Sequence, residues 1–219
     1  MHLSQSLFLE MFGDPVTNPM EWESLNLDAA TIKITDGEHQ NPPITELGDY
    51  LIMAKDVLDD KVDFTEPRYV SHDNYIKYTK KCNPEVGDVL LVSRGATVGR
   101  CTVVNTDLQF CLMGSVILIK PNNLIVGCFL NQLLKNRNFS KKLVNVSSAS
   151  AQQAIYISHL KKLKIFVPPI TLQNQFAERI QLIEAQKQQA LLSLEKSEAL
   201  FNSLLQRAFT GELTAKMAA

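Results

Sequence analysis

One uninterrupted segment near the C-terminus constrains the fold of this chain more than any other feature. Residues 171–209 contain neither glycine nor proline, and Pro168 and Pro169 stand just before them. Paired prolines favour an extended entry into a new element, so the sequence predicts a helix with Thr171 as its N-cap. At about 1.5 Å per residue such a helix is roughly 58 Å long. A small domain cannot cover one face of a helix of this length, so we expect a second long helix as its partner.

An apolar stripe predicts which side of this helix meets the partner. Heptad spacing puts apolar residues at most a and d positions, and further leucines widen the stripe toward a bundle face. The predicted helix interface comprises Phe176, Ile180, Ile183, Leu191, Leu194, Phe201, Leu204 and Leu205. Because the stripe has no partner of equal length in the chain, we expect a homodimer formed through the long helix.

The remainder of the chain predicts an α+β globular domain with a curved, mainly antiparallel sheet, followed by the one long C-terminal α-helix. Short β-type runs separated by turn residues occur at 31–34, 50–53, 88–93, 100–104 and 115–119. Helices are predicted at 3–12, where Gly13 and Pro15 stop the first one, and at 71–80 and 127–136. The predicted organisation is a short helix at 1–14, a globular domain at 15–168, the long helix at 169–213 and a tail at 214–219.

Charge is distributed unevenly along the chain. The formal net charge is -1, yet residues 108–177 contain no Asp or Glu. That segment holds a set of basic residues, namely Lys120, Lys135, Arg137, Lys141, Lys142, Lys161, Lys162 and Lys164. A polyanion such as DNA would favour this segment. A solvated basic face balanced by the acidic residues 1–107 explains the same pattern, and charge alone leaves both interpretations open.

Cysteine and histidine give no support to a metal site or a disulfide framework. Cys82, Cys101, Cys111 and Cys128 are widely spaced, and His2, His39, His72 and His159 are equally scattered. We interpret the cysteines as reduced core thiols and expect neither metal nor cofactor. No apolar run of membrane-spanning length and no signal-peptide pattern occurs, so a cytoplasmic location is expected.

Motifs of catalysis are incomplete. Asn41-Pro42-Pro43-Ile44 is similar to the Asn-Pro-Pro-aromatic loop of adenine methyltransferases, but it lacks the aromatic residue and the chain has no glycine-rich loop for a methyl donor. Asp59-Asp60-Lys61 contains only a fragment of a nuclease motif, and no phosphate-binding loop occurs. The sequence predicts that this chain is not an enzyme.

Three polar loops fit nucleic-acid contact better than any enzyme site. Residues 35–40 are crowded with donors and acceptors, residues 93–100 combine glycines with two arginines, and residues 147–153 are small and uncharged. Arginine forks suit guanine or phosphate, and glutamine suits an adenine edge. The predicted DNA-binding residues are Thr35, Asp36, Gly37, His39, Lys80, Lys81, Ser93, Arg94, Gly95, Ala96, Thr97, Arg100, Lys141, Lys142, Ser148, Ser150, Gln152 and Gln153. An ordinary hairpin turn at 35–40 remains an alternative.

Several motifs taken in order resemble the specificity subunits of type I restriction enzymes. They are Met11-Phe12-Gly13-Asp14-Pro15, Asp36-Gly37-Glu38-His39, the segment 87–96, Gln153-Ala154-Ile155-Tyr156-Ile157, Leu160-Lys161-Lys162-Leu163, the segment 167–175 and the segment 205–213. The resemblance implies a target-recognition domain at 15–168 and a spacer helix at 169–213. Such subunits read a split DNA site with two domains held apart by two antiparallel helices, while separate modification subunits carry the methyl donor and a motor-nuclease subunit cleaves.

The resemblance leaves two questions open. This chain holds one recognition domain, which fits either a half-subunit that self-associates or one half of a longer or split gene. An alternative function is that of an assembly or inhibitory protein that binds the modification subunit through the long helix without reading DNA. A stand-alone methyltransferase is a further alternative, and it would require binding of S-adenosylmethionine.

Overall fold

A computed structural model describes residues 3–145 and 154–210 of the chain. Helices and short strands are interspersed along the sequence. The helices are α1 (Leu3–Phe12), α2 (His72–Thr79), α3 (Gly127–Lys135), α4 (Arg137–Asn145), α5 (Ile157–Lys161) and α6 (Ile170–Phe209). The strands are β1 (Ser24–Asn26), β2 (Thr31–Asp36), β3 (Asp49–Ile52), β4 (Tyr69–Val70), β5 (Val89–Val92), β6 (Cys101–Val103), β7 (Phe110–Leu112), β8 (Val116–Pro121) and β9 (Lys164–Phe166).

The described strands are divided over three sheets. The largest has the order β2-β8-β5-β6, a second has the order β4-β3-β7, and β1 pairs with β9. All pairings are antiparallel except that of β3 with β7. The predicted fold class, α+β with mainly antiparallel strands and a long C-terminal helix, is confirmed.

The main core lies between the two larger sheets. Leu90 and Val92 of β5 and Leu118 of β8 are buried in one cluster with Ile52 and Leu112 of the second sheet. These residues alternate along their strands, as expected for one face of a pleated sheet. β5 is buried on both faces because α3 also contacts β5 and β6. A smaller cluster joins α2 to the other side of the second sheet through Tyr78, Leu51, Val70 and Cys111.

A cluster of phenylalanines joins the two ends of the globular unit. Phe8 and Phe12 of α1 contact Phe129 of α3 and Phe176 of α6, with ring centroids 4.8–5.8 Å apart, and Phe166 of β9 completes the cluster. Edge-to-face contacts of this kind add to the stabilisation that burial of the rings provides. The first turns of α6 are therefore part of the globular core.

Gln173 fixes the start of α6 with side-chain hydrogen bonds. Its side chain is fully buried, accepts a hydrogen bond from the Val126 backbone N–H (2.9 Å) and donates to the carbonyls of Leu124 and Pro168 (3.0 and 2.8 Å). The predicted N-cap role of Thr171 is wrong, because α6 already includes Ile170. The carbonyl of Pro169 accepts hydrogen bonds from Leu172 and Gln173, so the helix begins two residues before the first helical position that a Thr171 N-cap would give.

The chain divides into two compact units, residues 1–177 and 178–219. In the second unit α6 continues to Phe209, and Leu191, Leu194, Phe201, Leu204 and Leu205 of the predicted interface are exposed along it. Phe176 requires a correction, since it is fully buried in the first unit rather than exposed on the helix face. Ile180 is buried and Ile183 is half-buried. Over the residues described, we find no helix long and apolar enough to cross a membrane.

Candidate nucleic-acid interface

Two of the predicted loops meet at one edge of the largest sheet. β2 and β5 flank β8 and are both antiparallel to it. They consequently run in the same direction, so the loop that follows each of them leaves the sheet where β8 begins. We call this edge the loop edge, defined by residues 35–40, 93–100, 113–115 and 154–155. The sequence placed the loops on separate strands, and the sheet order brings them together.

The first loop is held by backbone hydrogen bonds to the turn before β8. Gly37 N–H donates to the Val116 carbonyl (3.2 Å), Glu38 N–H donates to the Leu112 carbonyl (2.8 Å), and Gly114 N–H donates to the Glu38 carbonyl (2.7 Å). A Cβ atom on Gly37 would lie 2.0 Å from the Leu112 oxygen. Glycine is therefore required at 37 for packing against this backbone.

The second loop is held by hydrogen bonds to Ser115, in the same turn before β8. Ser93 donates to the Ser115 carbonyl through its backbone N–H (2.8 Å) and its hydroxyl (3.0 Å). Beyond it, Arg94, Gly95 and Ala96 are exposed and Thr97 is half-buried. Gly95 has φ +96°, in the left-handed region that favours glycine. The loop therefore turns sharply just after Arg94 and presents the arginine to solvent.

The third loop lies outside the described residues, and with it the predicted contacts Ser148, Ser150, Gln152 and Gln153. The residue that follows it is described. Ala154 forms an antiparallel bridge with Arg94, and Ile155 N–H donates to the Ser93 carbonyl (2.9 Å). The chain that leaves the third loop is thus paired with the second loop.

The charges at the first loop are paired with one another. Asp36 Oδ1 lies 2.8 Å from Lys81 Nζ, and Asp36 Oδ2 lies 2.9 Å from His39 Nε2. Burial raises the pKa of Asp36, but the hydrogen bond from Lys81 and the charges of Lys81 and His39 outweigh this effect, so the pKa lies below its ordinary value. Asp36 is thus a carboxylate that holds two basic side chains at the edge. Lys80 is exposed beside Lys81.

Arg100 contacts protein groups in this structure. Its guanidinium lies 3.5 Å from the Val57 carbonyl and 3.9 Å from an Asp59 carboxylate oxygen. Lys135 donates to the Asp59 carbonyl. The two bases fix the turn at 57–62, whereas the Arg94 guanidinium has no ion pair within the part of the chain that the structure describes. Arg94 is therefore better placed than Arg100 to meet an external partner.

Three predicted contact residues are corrected by burial. Thr35, Gly37 and Ser93 are buried, so the side chains of Thr35 and Ser93 support the loop edge from inside, and Gly37 packs against the Leu112 backbone. Sequence reasoning missed this because polar residues in a loop give no sign of which members face the sheet. Lys141 and Lys142 are exposed on α4, a helix that leads directly into the third loop.

The basic segment 108–177 does not form one free basic face. Lys120 forms ion pairs with Asp88 and Glu85, and Lys161 forms one with Asp28. Lys135 donates a hydrogen bond to the Asp59 backbone carbonyl. The alternative of a basic face balanced by acidic residues 1–107 thus fits Lys120 and Lys161, whereas Lys135 donates to a backbone carbonyl. Across residues 3–145 and 154–210, no three His, Cys, Asp or Glu side chains are grouped so as to hold a metal ion.

Comparisons with known proteins agree with this architecture. The family model of the type I restriction modification DNA specificity domain matches residues 44–196. The chain is 29% identical over 171 residues to the type I restriction enzyme EcoBI specificity subunit of Escherichia coli, which covers 76% of this chain and 36% of that protein. It is 27% identical over 171 residues to the putative type I restriction enzyme MjaX specificity subunit of Methanocaldococcus jannaschii. That alignment covers 73% of this chain and 39% of that protein.

A solved structure shares the fold. A chain in a structure of the type I R-M system, solved to describe complex assembly and conformational transition, matches with a TM-score of 0.57 and 23% identity, over 94% of this chain and 48% of that chain. This chain spans less than half the length of each of these three proteins. The resemblance read from the sequence motifs is confirmed, and the chain belongs to the type I restriction modification DNA specificity domain family.

Proposed function

We propose that this chain recognises a DNA sequence through the loop edge, as a specificity subunit or half-subunit of a type I restriction–modification complex. In this proposal it directs methyltransferase and restriction subunits to a bipartite DNA site in the cytoplasm. Methyl transfer and cleavage belong to those partner subunits, and the chain itself is not an enzyme. Double-stranded DNA is its ligand, and it needs no cofactor of its own.

The observation that carries the proposal is the convergence of the polar loops at the start of β8. Gly114 and Ser115 bond to Glu38 of the first loop and Ser93 of the second, and Ala154, which follows the third loop, pairs with Arg94. A rigid sheet that presents several polar loops at one edge can place donors and acceptors in a DNA groove together. Convergence of loops from distant parts of the sequence is what base reading over several base pairs requires.

The charged residues divide between two roles. Exposed Lys80, Lys81, Lys141 and Lys142 can neutralise phosphates and supply affinity that depends on salt but not on sequence. Arg94, exposed at a fixed bend, can offer two parallel donors to a guanine edge. We therefore assign base reading to Arg94 and positioning to the lysines.

Substitution of Arg94 tests the proposal. Methylation sequencing of cells that carry this chain with its modification subunit would identify the target site, and duplexes with that site or a scrambled one would serve as probes. Arg94→Ala should weaken binding to the target about tenfold or more, because one bidentate contact contributes about 1–3 kcal/mol of discrimination. Equal affinity of the variant and the wild type for the target duplex would argue against DNA reading at this edge.

A matched control exists at the opposite end of the sheet. Lys164 is exposed on β9, which pairs with β1, and β1 leads into the start of β2 rather than its end. Lys164→Ala also removes one positive charge, but it should leave discrimination between the two duplexes unchanged. Co-purification of each variant with the modification subunit would show that assembly is intact.

We further propose that residues 15–168 form the recognition domain and that residues 169–213 act as the spacer and self-associate with a second copy. Exposed Leu191, Leu194, Phe201 and Leu205 follow the spacing of one helix face, which supports this proposal. Light scattering should show a dimer of the wild type, and Leu194→Asp with Phe201→Asp should give a monomer. A strictly monomeric wild type at micromolar concentration would contradict self-association.

A further inference from the structure

Tyr156 is an exposed aromatic residue directly beside the loop edge. It follows the Ala154–Ile155 segment that pairs with the second loop, and 40% of its surface is exposed. Its backbone is extended, with φ -97° and ψ 136°. Neither the loops predicted from the sequence nor the residues assigned above include it.

Strand geometry places Tyr156 on the same face as Arg94. Side chains alternate along an extended segment, so Tyr156 shares a face with Ala154, and Ala154 lies opposite Arg94. Ile155, which lies between them, is buried, as are Ala154 and Ser93, whereas Tyr156 is exposed. Tyr156 therefore emerges two residues beyond the bridge to Arg94.

The position of Tyr156 relative to the edge differs from that of Arg94. Arg94 immediately precedes the bend at Gly95, whereas Tyr156 lies on the neighbouring segment, two residues beyond the bridge between Ala154 and Arg94. When the bend enters a groove, a side chain on this neighbouring segment can meet the phosphate backbone that borders the groove. A tyrosine hydroxyl can donate a hydrogen bond to a phosphate oxygen.

His159 restricts the position of the Tyr156 ring. The two rings meet edge to face with centroids 5.8 Å apart. The backbone N–H of His159 donates to the Tyr156 carbonyl (3.0 Å). A ring that is already held in place loses little conformational entropy on binding. The segment 108–177 contains no Asp or Glu, and Asp28, which approaches α5 from the acidic part of the chain, is paired with Lys161.

We infer that Tyr156, with its ring positioned by His159, is a second DNA contact beside Arg94 and donates its hydroxyl hydrogen bond to a backbone phosphate. This inference rests on the proposed DNA-reading function. It assigns different roles to the two neighbours, because a phosphate contact contributes to affinity for every sequence while a base contact distinguishes sequences.

Tyr156→Phe in the full chain tests the inference, because it removes the hydroxyl and keeps the ring. Fluorescence anisotropy with the target duplex and with a scrambled duplex should show that both affinities fall by the same factor, roughly fivefold, as expected for one lost hydrogen bond. The salt dependence of binding should not change, because a neutral hydroxyl releases no counterion. Arg94→Ala should lower target affinity more than scrambled affinity, because it removes a base contact.

Two further variants complete the design. His159→Gln should weaken binding to both duplexes less than Tyr156→Phe does, because the hydroxyl remains but its ring is less well held. Tyr75→Phe is the matched control, since Tyr75 also lies three residues from a histidine, with its ring centroid 6.0 Å from that of His72, but packs against the inner cluster of α2. It should bind both duplexes as the wild type does.

The outcomes separate the inference from the function on which it rests. Wild-type affinity of Tyr156→Phe for both duplexes, together with weakened target binding by Arg94→Ala, overturns the inference and leaves the proposed function standing. A loss confined to the target duplex also overturns it, since Tyr156 would then read a base. Failure of the wild type to distinguish the duplexes overturns the proposed function itself.

Discussion

Asp36 Oδ1 and Lys81 Nζ lie 2.8 Å apart. This ion pair joins the end of β2 to the residue that follows the C-cap of α2. Because His39 contacts the other oxygen of the same carboxylate at 2.9 Å, the Asp36 side chain holds both Lys81 and His39. The sequence predicts that Asp36 contacts DNA. We propose that it instead acts as a positioning residue, which keeps Lys81 and His39 at the surface.

The stabilisation by Asp36 should depend on pH. Its pKa is lower in the folded chain than its ordinary value of 3.8, so its contribution is present above pH 3.8 and is lost as the pH falls through the folded pKa. Asp36→Asn should therefore lower the free energy of unfolding at neutral pH, by about 1 kcal/mol or less because Lys81 is exposed. Urea titrations at several pH values should show the difference shrinking in acid. In a Lys81→Met background, Asp36→Asn should lower the free energy of unfolding by less. A difference between Asp36→Asn and the wild type that does not change with pH would contradict this interpretation.

Lys120 should contribute more to stability than other charged pairs. Burial lowers the pKa of Lys120, but hydrogen bonds to Asp88 (2.7 Å) and Glu85 (3.0 Å) raise it above its ordinary value. The Asp88 side chain is only 8% exposed, so Lys120→Met would leave a buried carboxylate without its cation, at a cost of about 3 kcal/mol. Chemical denaturation measures this cost. The exposed pair of Lys161 and Asp28 supplies the control, since Lys161→Met should lower the free energy of unfolding by less than about 1 kcal/mol. Equal losses would show that burial does not matter here.

Two phenylalanines of α6 should respond very differently to truncation. Phe176 is fully buried among Phe8 and Phe12, so Phe176→Ala should lower the free energy of unfolding of the first unit by about 3–5 kcal/mol. Phe201 is 61% exposed. At protein concentrations below those of self-association, Phe201→Ala should lower the free energy of unfolding by less than about 1 kcal/mol. Thermal and urea unfolding would measure both. Similar losses for the two variants would mean that Phe176 is not part of the globular core.

The cysteines should be unreactive in the folded chain. Burial raises the pKa of Cys82, Cys101 and Cys111 to about 12 and that of Cys128 to about 11. The thiolate is the reactive form and is scarcely populated at neutral pH. A thiol reagent such as DTNB should therefore react slowly with the native chain, at the half-buried Cys128 first, and with all four thiols in denaturant. Rapid labelling of Cys101 in the native state would contradict the core assignment.

Local pattern was sufficient to predict many elements of this fold, but not the short strands β1, β4, β7 and β9 or the helices α4 and α5. Strands near 31–34 and 88–93, the helix at 127–136 and the long final helix all occur close to their predicted positions. Their signals are side-chain periodicity and the placement of glycine and proline, which act within a few residues. The family was also readable from the order of short motifs, because each motif is a local string.

Tertiary structure alone decided which residues face a partner. No local signal says that β2 and β5 flank β8, so the meeting of the first two loops depends on pairing between distant segments. Thr35 and Ser93 look like available polar residues in the sequence but are buried at the loop edge, and Phe176 fits the heptad but belongs to the core. Tyr156 became a candidate only once Ala154 was found paired with Arg94. Sequence spacing determines the conformation of a segment, whereas the exposure of a side chain depends on what the rest of the chain packs against it.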